Sequence, residues 1–142
     1  FMSNFYHKPF QYKGHLITCS EIGFMMEKAI QFNDDAVVLE LASISKASEA
    51  KKLGRKIKAY DDKVWNEVRL ARMVEVLTEK FKDPELRQRL LDTGDRILVE
   101  ASPIDKIWGV GMDENHPDIE TPSKWQGQNL LGIALMAVRK NL

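Results

Sequence analysis

The stretch RILVEASPIDKIWGVG, residues 96–111, is where the chain changes character. Its first five residues, Arg96 to Glu100, read as a short buried strand. The rest cannot extend that strand. Pro103 has no amide to donate, and Gly109 and Gly111 permit backbone angles that other residues avoid. The expectation is a chain that leaves the core after Glu100 and presents an acid, Asp105, and an indole, Trp108, in a loop at a strand end. Loops in that position on a rigid scaffold commonly carry chemistry.

Outward from this loop, the composition is that of an ordinary globular domain. The chain has 142 residues, 44% of them apolar and 30% charged, enough for one domain with a real core. Its 21 basic and 21 acidic side chains cancel, which argues against a DNA-coating or polybasic membrane protein but leaves room for a local phosphate pocket. A lone cysteine, Cys19, excludes an intrachain disulfide and a Cys-rich metal site. That usage fits a reducing compartment, and a cytoplasmic location is expected. No apolar run reaches membrane-spanning length and no signal peptide is visible. The first residue is Phe1, and residues 1–5 read as the tail of a strand begun upstream.

Toward the N-terminus, residues 9–18 read as a hairpin turning at Lys13-Gly14. Ser20 is the expected cap of a helix from Glu21 to about Phe32, with Gly23 inside it marking a close approach to the backbone. A second helix is expected from Asn33-Asp34-Asp35 to Ala42, and a third, rich in Lys, over Ser45–Lys58. Asp61-Asp62 caps the longest, Lys63–Phe81, whose apolar residues recur at helical spacing. Pro84 opens a short helix ending at Gly94, and an amphipathic helix over Asn129–Lys140 closes the chain. The class is α+β: a single, mostly α-helical domain over residues 1–142 with a few short strands.

Candidate chemistry gathers at few places. Glu21 and Lys28 lie seven positions apart, close to two helical turns, so both point the same way with Phe24 and Met25 between them. Desolvation there would free some amine to act as a nucleophile; spacing alone favours a solvated helix end with a surface Lys. Asp105 reads as a general acid or base, as a group orienting a ribose hydroxyl, or as the cap of its own turn. Trp108 shapes a pocket or, the favoured reading, fills core. Trp65, one turn before Arg69, reads as core or as a platform for a base beside a phosphate-holding cation. The basic run Lys51, Lys52, Arg55, Lys56, Lys58 reads as a solvated face, part of which could close a phosphate site. Gly127 and Gly132 suggest tight packing at the last helix, and Asn129 is its expected cap. His7, His15 and His116 lack ligand spacing, and no P-loop, dinucleotide fingerprint or Ser-His-Asp pattern appears.

Taken in order, "FMSNFY", "SEIGFMMEKA", "KKLGR", "VWNEVR", "TGDRILVEASPIDKIWGVG" and "WQGQNLLGIALMAVR" resemble the NADAR superfamily, the YbiA-like proteins, over nearly the whole chain. The resemblance implies an N-glycosidase that cleaves the bond between a nitrogen base and ribose. The substrate it implies first is a phosphoribosylamino-pyrimidine of riboflavin biosynthesis, releasing ribose 5-phosphate. The alternatives are removal of ADP-ribose from guanine in nucleic acid, and a non-catalytic ADP-ribose or NAD-binding module. It implies catalytic roles for Glu21, Lys28, Asp105 and Trp65, and substrate contacts from Phe24, Arg55, Arg69, Trp108, Gly109 and Asn4. The implied partner is a phosphoribosyl or ADP-ribosyl small molecule or, in the second reading, ADP-ribosylated nucleic acid; neither a membrane nor a metal or organic cofactor is expected. Ile22 and Gly23 follow Glu21 where His or Gln and an aromatic are common, and Ile104 and Lys106 replace Tyr and Arg; these changes fall on the pocket walls. The spatial expectation is that the amine and both acids encircle one cavity.

Overall fold

The Lys13-Gly14 pair determines the first element. Both residues have positive φ, 47° and 83°, the backbone a tight two-residue hairpin turn requires. Around it β1 (Phe10–Tyr12) and β2 (His15–Ile17) run antiparallel, with Phe10 opposite Ile17 and Tyr12 opposite His15. They form the single sheet of the computed structural model, which describes residues 1–142. The rest is mainly six α-helices, so the chain is α+β and mostly helical. It divides into two units, Phe1–Arg89 and Leu90–Leu142.

In the first unit, α1 (Ser20–Gln31) packs against α2 (Asp35–Ala42), α3 (Ala47–Gly54) and α4 (Asp62–Lys80). Most of its surface is therefore covered: Ile22, Phe24, Met25, Met26 and Ala29 are buried, and so are the polar Ser20, Glu21 and Glu27. Gly23 is where α4 and β2 come closest. A Cβ there would lie 2.8 Å from Val76 Cγ1 and 3.0 Å from Ile17 Cδ1. The long helix α4 buries one stripe, Trp65, Met73, Val76 and Leu77. Asp61 caps it, accepting from the amides of Lys63 and Val64. Asp34 caps α2 the same way through Val37.

Three expectations are corrected here. Cys19, not Ser20, occupies the cap position of α1; Ser20 is its first helical residue and donates instead to Asn4 Oδ1 at 2.9 Å. The Lys-rich helix is shorter than 45–58, because Gly54 ends it. Residues 1–5 form no strand: Phe5 donates to Ser3 Oγ and Tyr6 to the Ser3 carbonyl, a turn.

The helix α5 (Pro84–Leu91) carries the chain into the second unit. It stops short of Gly94, which follows in a turn at φ 60°. A single 3-10 turn, Pro122–Lys124, precedes α6 (Leu130–Lys140), whose buried face is Leu131, Gly132, Ala134, Leu135 and Val138. No strand forms at residues 96–100. Two of its backbone groups are taken by a side chain: Asn129 Oδ1 accepts from Glu100 N and Asn129 Nδ2 donates to the Leu98 carbonyl, both at 2.9 Å, while the Glu100 carbonyl accepts from Val110 N at 3.0 Å. Asn129 is 3% exposed and sits in the left-handed region at φ 53°. Its side chain does for this segment what a neighbouring strand does in a sheet. Gly132 makes that possible, since a Cβ there would fall 2.1 Å from the Leu98 carbonyl oxygen.

Candidate active site

The start of α1 is fixed by Asn4. Its carbonyl accepts from Glu21 N at 3.0 Å, while its side-chain oxygen accepts from Ser20 Oγ. Asn4, expected to touch substrate, is a buried residue that pins the turn carrying Glu21. Glu21 is itself buried, 7% exposed, in the first helical turn, where the exposed amides favour negative charge.

Two turns on, Lys28 is half-buried. Its Nζ donates to the Gly54 carbonyl at 3.3 Å and lies 4.5 Å from the centre of the Tyr60 ring. Burial lowers its pKa below the usual lysine value, and the negative charges of Asp62 and Glu21 oppose the shift. The surface-Lys reading is thereby set aside: the amine is partly desolvated and feels Glu21. Gly54 is a glycine for a steric reason, since a Cβ there would fall 2.2 Å from Met25 Sδ. Without one, α3 closes on α1 and its last carbonyl reaches Lys28.

Aromatic rings line this part of the first unit. Phe24 and Trp65 lie 5.2 Å apart, Phe32 and Trp65 6.4 Å, and Phe32 and Tyr60 5.2 Å. Trp65 is 5% exposed, so its indole is a packed wall, while Tyr60 is the exposed member of the row, at 39%. Of the two arginines, Arg55 is exposed just past the end of α3. Arg69 is partly exposed on α4, and its guanidinium donates to Asn66 Oδ1 at 2.9 Å. Phe32, Tyr60 and Asp62 were missed by sequence reasoning; they stand on a loop and at helix ends, where periodicity gives no signal.

In the second unit the loop after Glu100 is closed by its own hydrogen bonds. Asp105 Oδ1 accepts from Ile107 N at 2.9 Å and Trp108 N at 2.8 Å, and Ser102 Oγ accepts from Asp105 N at 3.0 Å. Asp105 therefore caps its own turn. The carbonyls of Lys106, Ile107, Trp108 and Gly109 accept from the amides of Gln128, Leu130, Leu131 and Asn129. Two of them, Ile107 and Trp108, thereby satisfy the first amides of α6, Leu130 and Leu131, which have no partner inside the helix. Trp108 is half-buried, and a Cβ on Gly109 would lie 2.7 Å from the Asp105 carbonyl oxygen. A second acid, Glu100, was also missed. It is half-buried, and burial first, then the charge of Asp105, raises its pKa.

A carboxylate and a partly desolvated amine on one helix, walled by aromatic rings, suit chemistry at an electrophilic carbon. The chain belongs to the NADAR domain family, whose pattern matches residues 1–142. It is 37% identical over 117 residues to N-glycosidase R617 of Acanthamoeba polyphaga mimivirus, covering 82% of this chain and 69% of that protein. It is 37% identical over 128 residues to protein irg-1 of Caenorhabditis elegans, covering 88% of this chain and 60% of the relative. A riboflavin biosynthesis protein of Vibrio vulnificus, VVA0006, is 30% identical across this whole chain, which spans 35% of it. Among solved structures, the NMR structure of the Escherichia coli protein YbiA superposes with a TM-score of 0.79 at 30% identity, covering 99% of this chain and 76% of that one. No helix is long and apolar enough to cross a membrane.

Proposed function

We propose that this chain is an N-glycosidase that cleaves the bond between ribose and a nitrogen base, with a phosphoribosylamino-pyrimidine as substrate and ribose 5-phosphate as product. The observation that carries the reading is Lys28: an amine half-removed from water, under the influence of Glu21, among aromatic walls. The names of relatives support the reaction class, and the Vibrio relative's name supports the pyrimidine branch.

In this reaction the lone pair of Lys28 Nζ forms a bond to the anomeric carbon. The bond to the base breaks with its electrons going to the base nitrogen, which takes up a proton. The sugar ring then opens: the ring oxygen takes a proton, Lys28 gives one up, and an imine remains. Water adds to that carbon, expels the amine and regenerates Lys28. Glu21 is the carboxylate for these proton transfers and for the positive charge that develops on the sugar. Asp105 is assigned to the same reaction by the resemblance alone. Arg55 and Arg69 are the cations for the phosphate.

The test is a substrate panel. The protein is incubated with the phosphoribosylamino-pyrimidine and, separately, with ADP-ribosylated guanine DNA, and free sugar phosphate or ADP-ribose is measured. Cleavage of the pyrimidine, with a borohydride-trapped sugar adduct on Lys28, is expected. Glu21→Gln should slow turnover about 10²- to 10⁴-fold. An active Lys28→Ala variant with no trapped adduct removes the covalent step, cleavage of only the guanine adduct moves the protein to the other substrate, and cleavage of neither overturns the glycosidase reading.

A further inference from the structure

Tyr60 is held by unusual means for a residue in a loop. The chain between α3 and α4 turns at Ala59, a non-glycine residue in the left-handed region at φ 57°. Such a residue costs on the order of 1 kcal/mol and persists only where its surroundings fix it. Just before it, Lys58 N donates to Asp34 Oδ2 at 2.8 Å, tying the loop to the cap of α2. Beyond it, the Tyr60 hydroxyl donates to Asp62 Oδ1 at 2.7 Å, and the ring rests on Phe32. The product of these restraints is an aromatic face over the Lys28 ammonium, at 4.5 Å.

The ring's negative face attracts a cation, most strongly where water is partly excluded. We propose that Tyr60 is a positioning residue for Lys28, its ring face holding the cationic forms of that side chain over α1: the resting ammonium and, in the glycosidase reaction, the protonated imine. The imine clause rests on the function proposed above; the ammonium clause does not. The groups facing Lys28 Nζ are Glu21 from its own helix, Asp62 from α4, the Gly54 carbonyl from α3, and Tyr60 from the loop. The two carboxylates and the carbonyl would remain when the ring is removed, so the ring's share can be isolated.

The experiment reads the amine and needs no substrate. The intact protein is trace-labelled with an amine-reactive reagent across a series of pH values, and modification of the Lys28 peptide is followed by mass spectrometry. The midpoint of its pH dependence is compared among wild type, Tyr60→Phe and Tyr60→Leu. Tyr60→Leu should move the midpoint to lower pH, giving about three- to tenfold more free amine at a fixed pH below it. Tyr60→Phe keeps the ring and should leave the midpoint near wild type. Easier access alone would re-solvate the amine and move the midpoint to higher pH, the opposite direction. An unmoved midpoint in Tyr60→Leu, or an equal shift in Tyr60→Phe, overturns the proposal; the second result would give the effect to the hydroxyl and Asp62. If no glycoside is cleaved while the midpoint moves as expected, the glycosidase reading fails and the role of Tyr60 over the ammonium stands.

Discussion

Glu21 and Asp105 are both acids at the start of a structured turn, but they are held in opposite ways. Glu21 rides a helix fixed by the packing of its neighbours: Ile22, Met26 and Ala29 are buried, and the Glu21 amide and Ser20 tie the turn to Asn4. Asp105 holds its own backbone, one carboxylate oxygen accepting from two amides of the loop it occupies. In the first arrangement residues beside the acid carry the packing of the helix, which sets stability and chemistry largely apart. The second joins them, because the same atoms that could serve a reaction already serve the fold.

The sharpest way to break this contrast is at Asn129. Its side chain satisfies the Leu98 carbonyl and the Glu100 amide, and it is buried. Asn129→Ala leaves both backbone groups without that partner and opens a void. We expect a loss of about 2–4 kcal/mol in urea unfolding. Glu21→Gln, nearly isosteric, should shift the same midpoint far less. Equal losses in the two variants would mean that Glu21 also supports its own scaffold, and the contrast would fail.

Asn129 also shows what sequence could and could not give. Its place before the last helix was legible, because a polar residue followed by a helical apolar pattern marks a helix start. Its function was not. A side chain bridging residues about thirty positions away leaves no periodic trace, so the segment 96–100 reads as a strand although the Leu98 carbonyl and the Glu100 amide pair with the Asn129 side chain. The hairpin and the helices were legible for the opposite reason: turn residues, caps and apolar spacing are local. At the candidate site, helical spacing puts Glu21 and Lys28 on one side of α1 but by itself favours a solvated helix end, and only the family resemblance gives them roles; Tyr60 owes its position to a left-handed alanine and to Asp34, neither of which is recognisable in advance.

The first unit has a weak point of its own, at Lys80. The side chain is 2% exposed, donates to the Ser3 carbonyl at 3.0 Å and lies near the rings of Tyr6 and Phe81. Burial lowers its pKa from 10.5 to about 8. Between those two values the unfolded chain binds a proton that the folded chain does not, so this group makes the protein more stable as pH rises from about 8 to 10.5. Below that window the cost of the buried charge is present in full, on the order of 1–3 kcal/mol. The measurement is a difference, so that titrations common to both proteins cancel. Unfolding free energies of wild type and Lys80→Met, taken from pH 7 to 10.5, should converge as pH rises, with wild type gaining. Parallel curves would show that Lys80 stays charged, held by the Ser3 carbonyl and the two rings.

Asp105 offers the smallest effect and the finest test. Removing its carboxylate takes a charge-assisted acceptor from the Ile107 and Trp108 amides, and Asp105→Ala should cost about 1–2 kcal/mol. Asp105→Asn keeps an oxygen in the same place and should recover most of that stability while losing the charge and the ability to exchange a proton. If both variants lose glycoside cleavage but only Asp105→Ala loses stability, the acid acts chemically as well as structurally. If Asp105→Asn cleaves as well as wild type, the carboxylate is a turn cap and the chemistry falls to Glu21. A loss of cleavage in Asp105→Asn has a second source to separate out, Glu100, whose pKa Asp105 helps to raise. In Asp105→Asn the neighbouring charge is gone, so Glu100 should ionise more readily. A loss of activity in that variant that follows the titration of Glu100, rather than being constant with pH, would identify Glu100 as the acid that Asp105 controls.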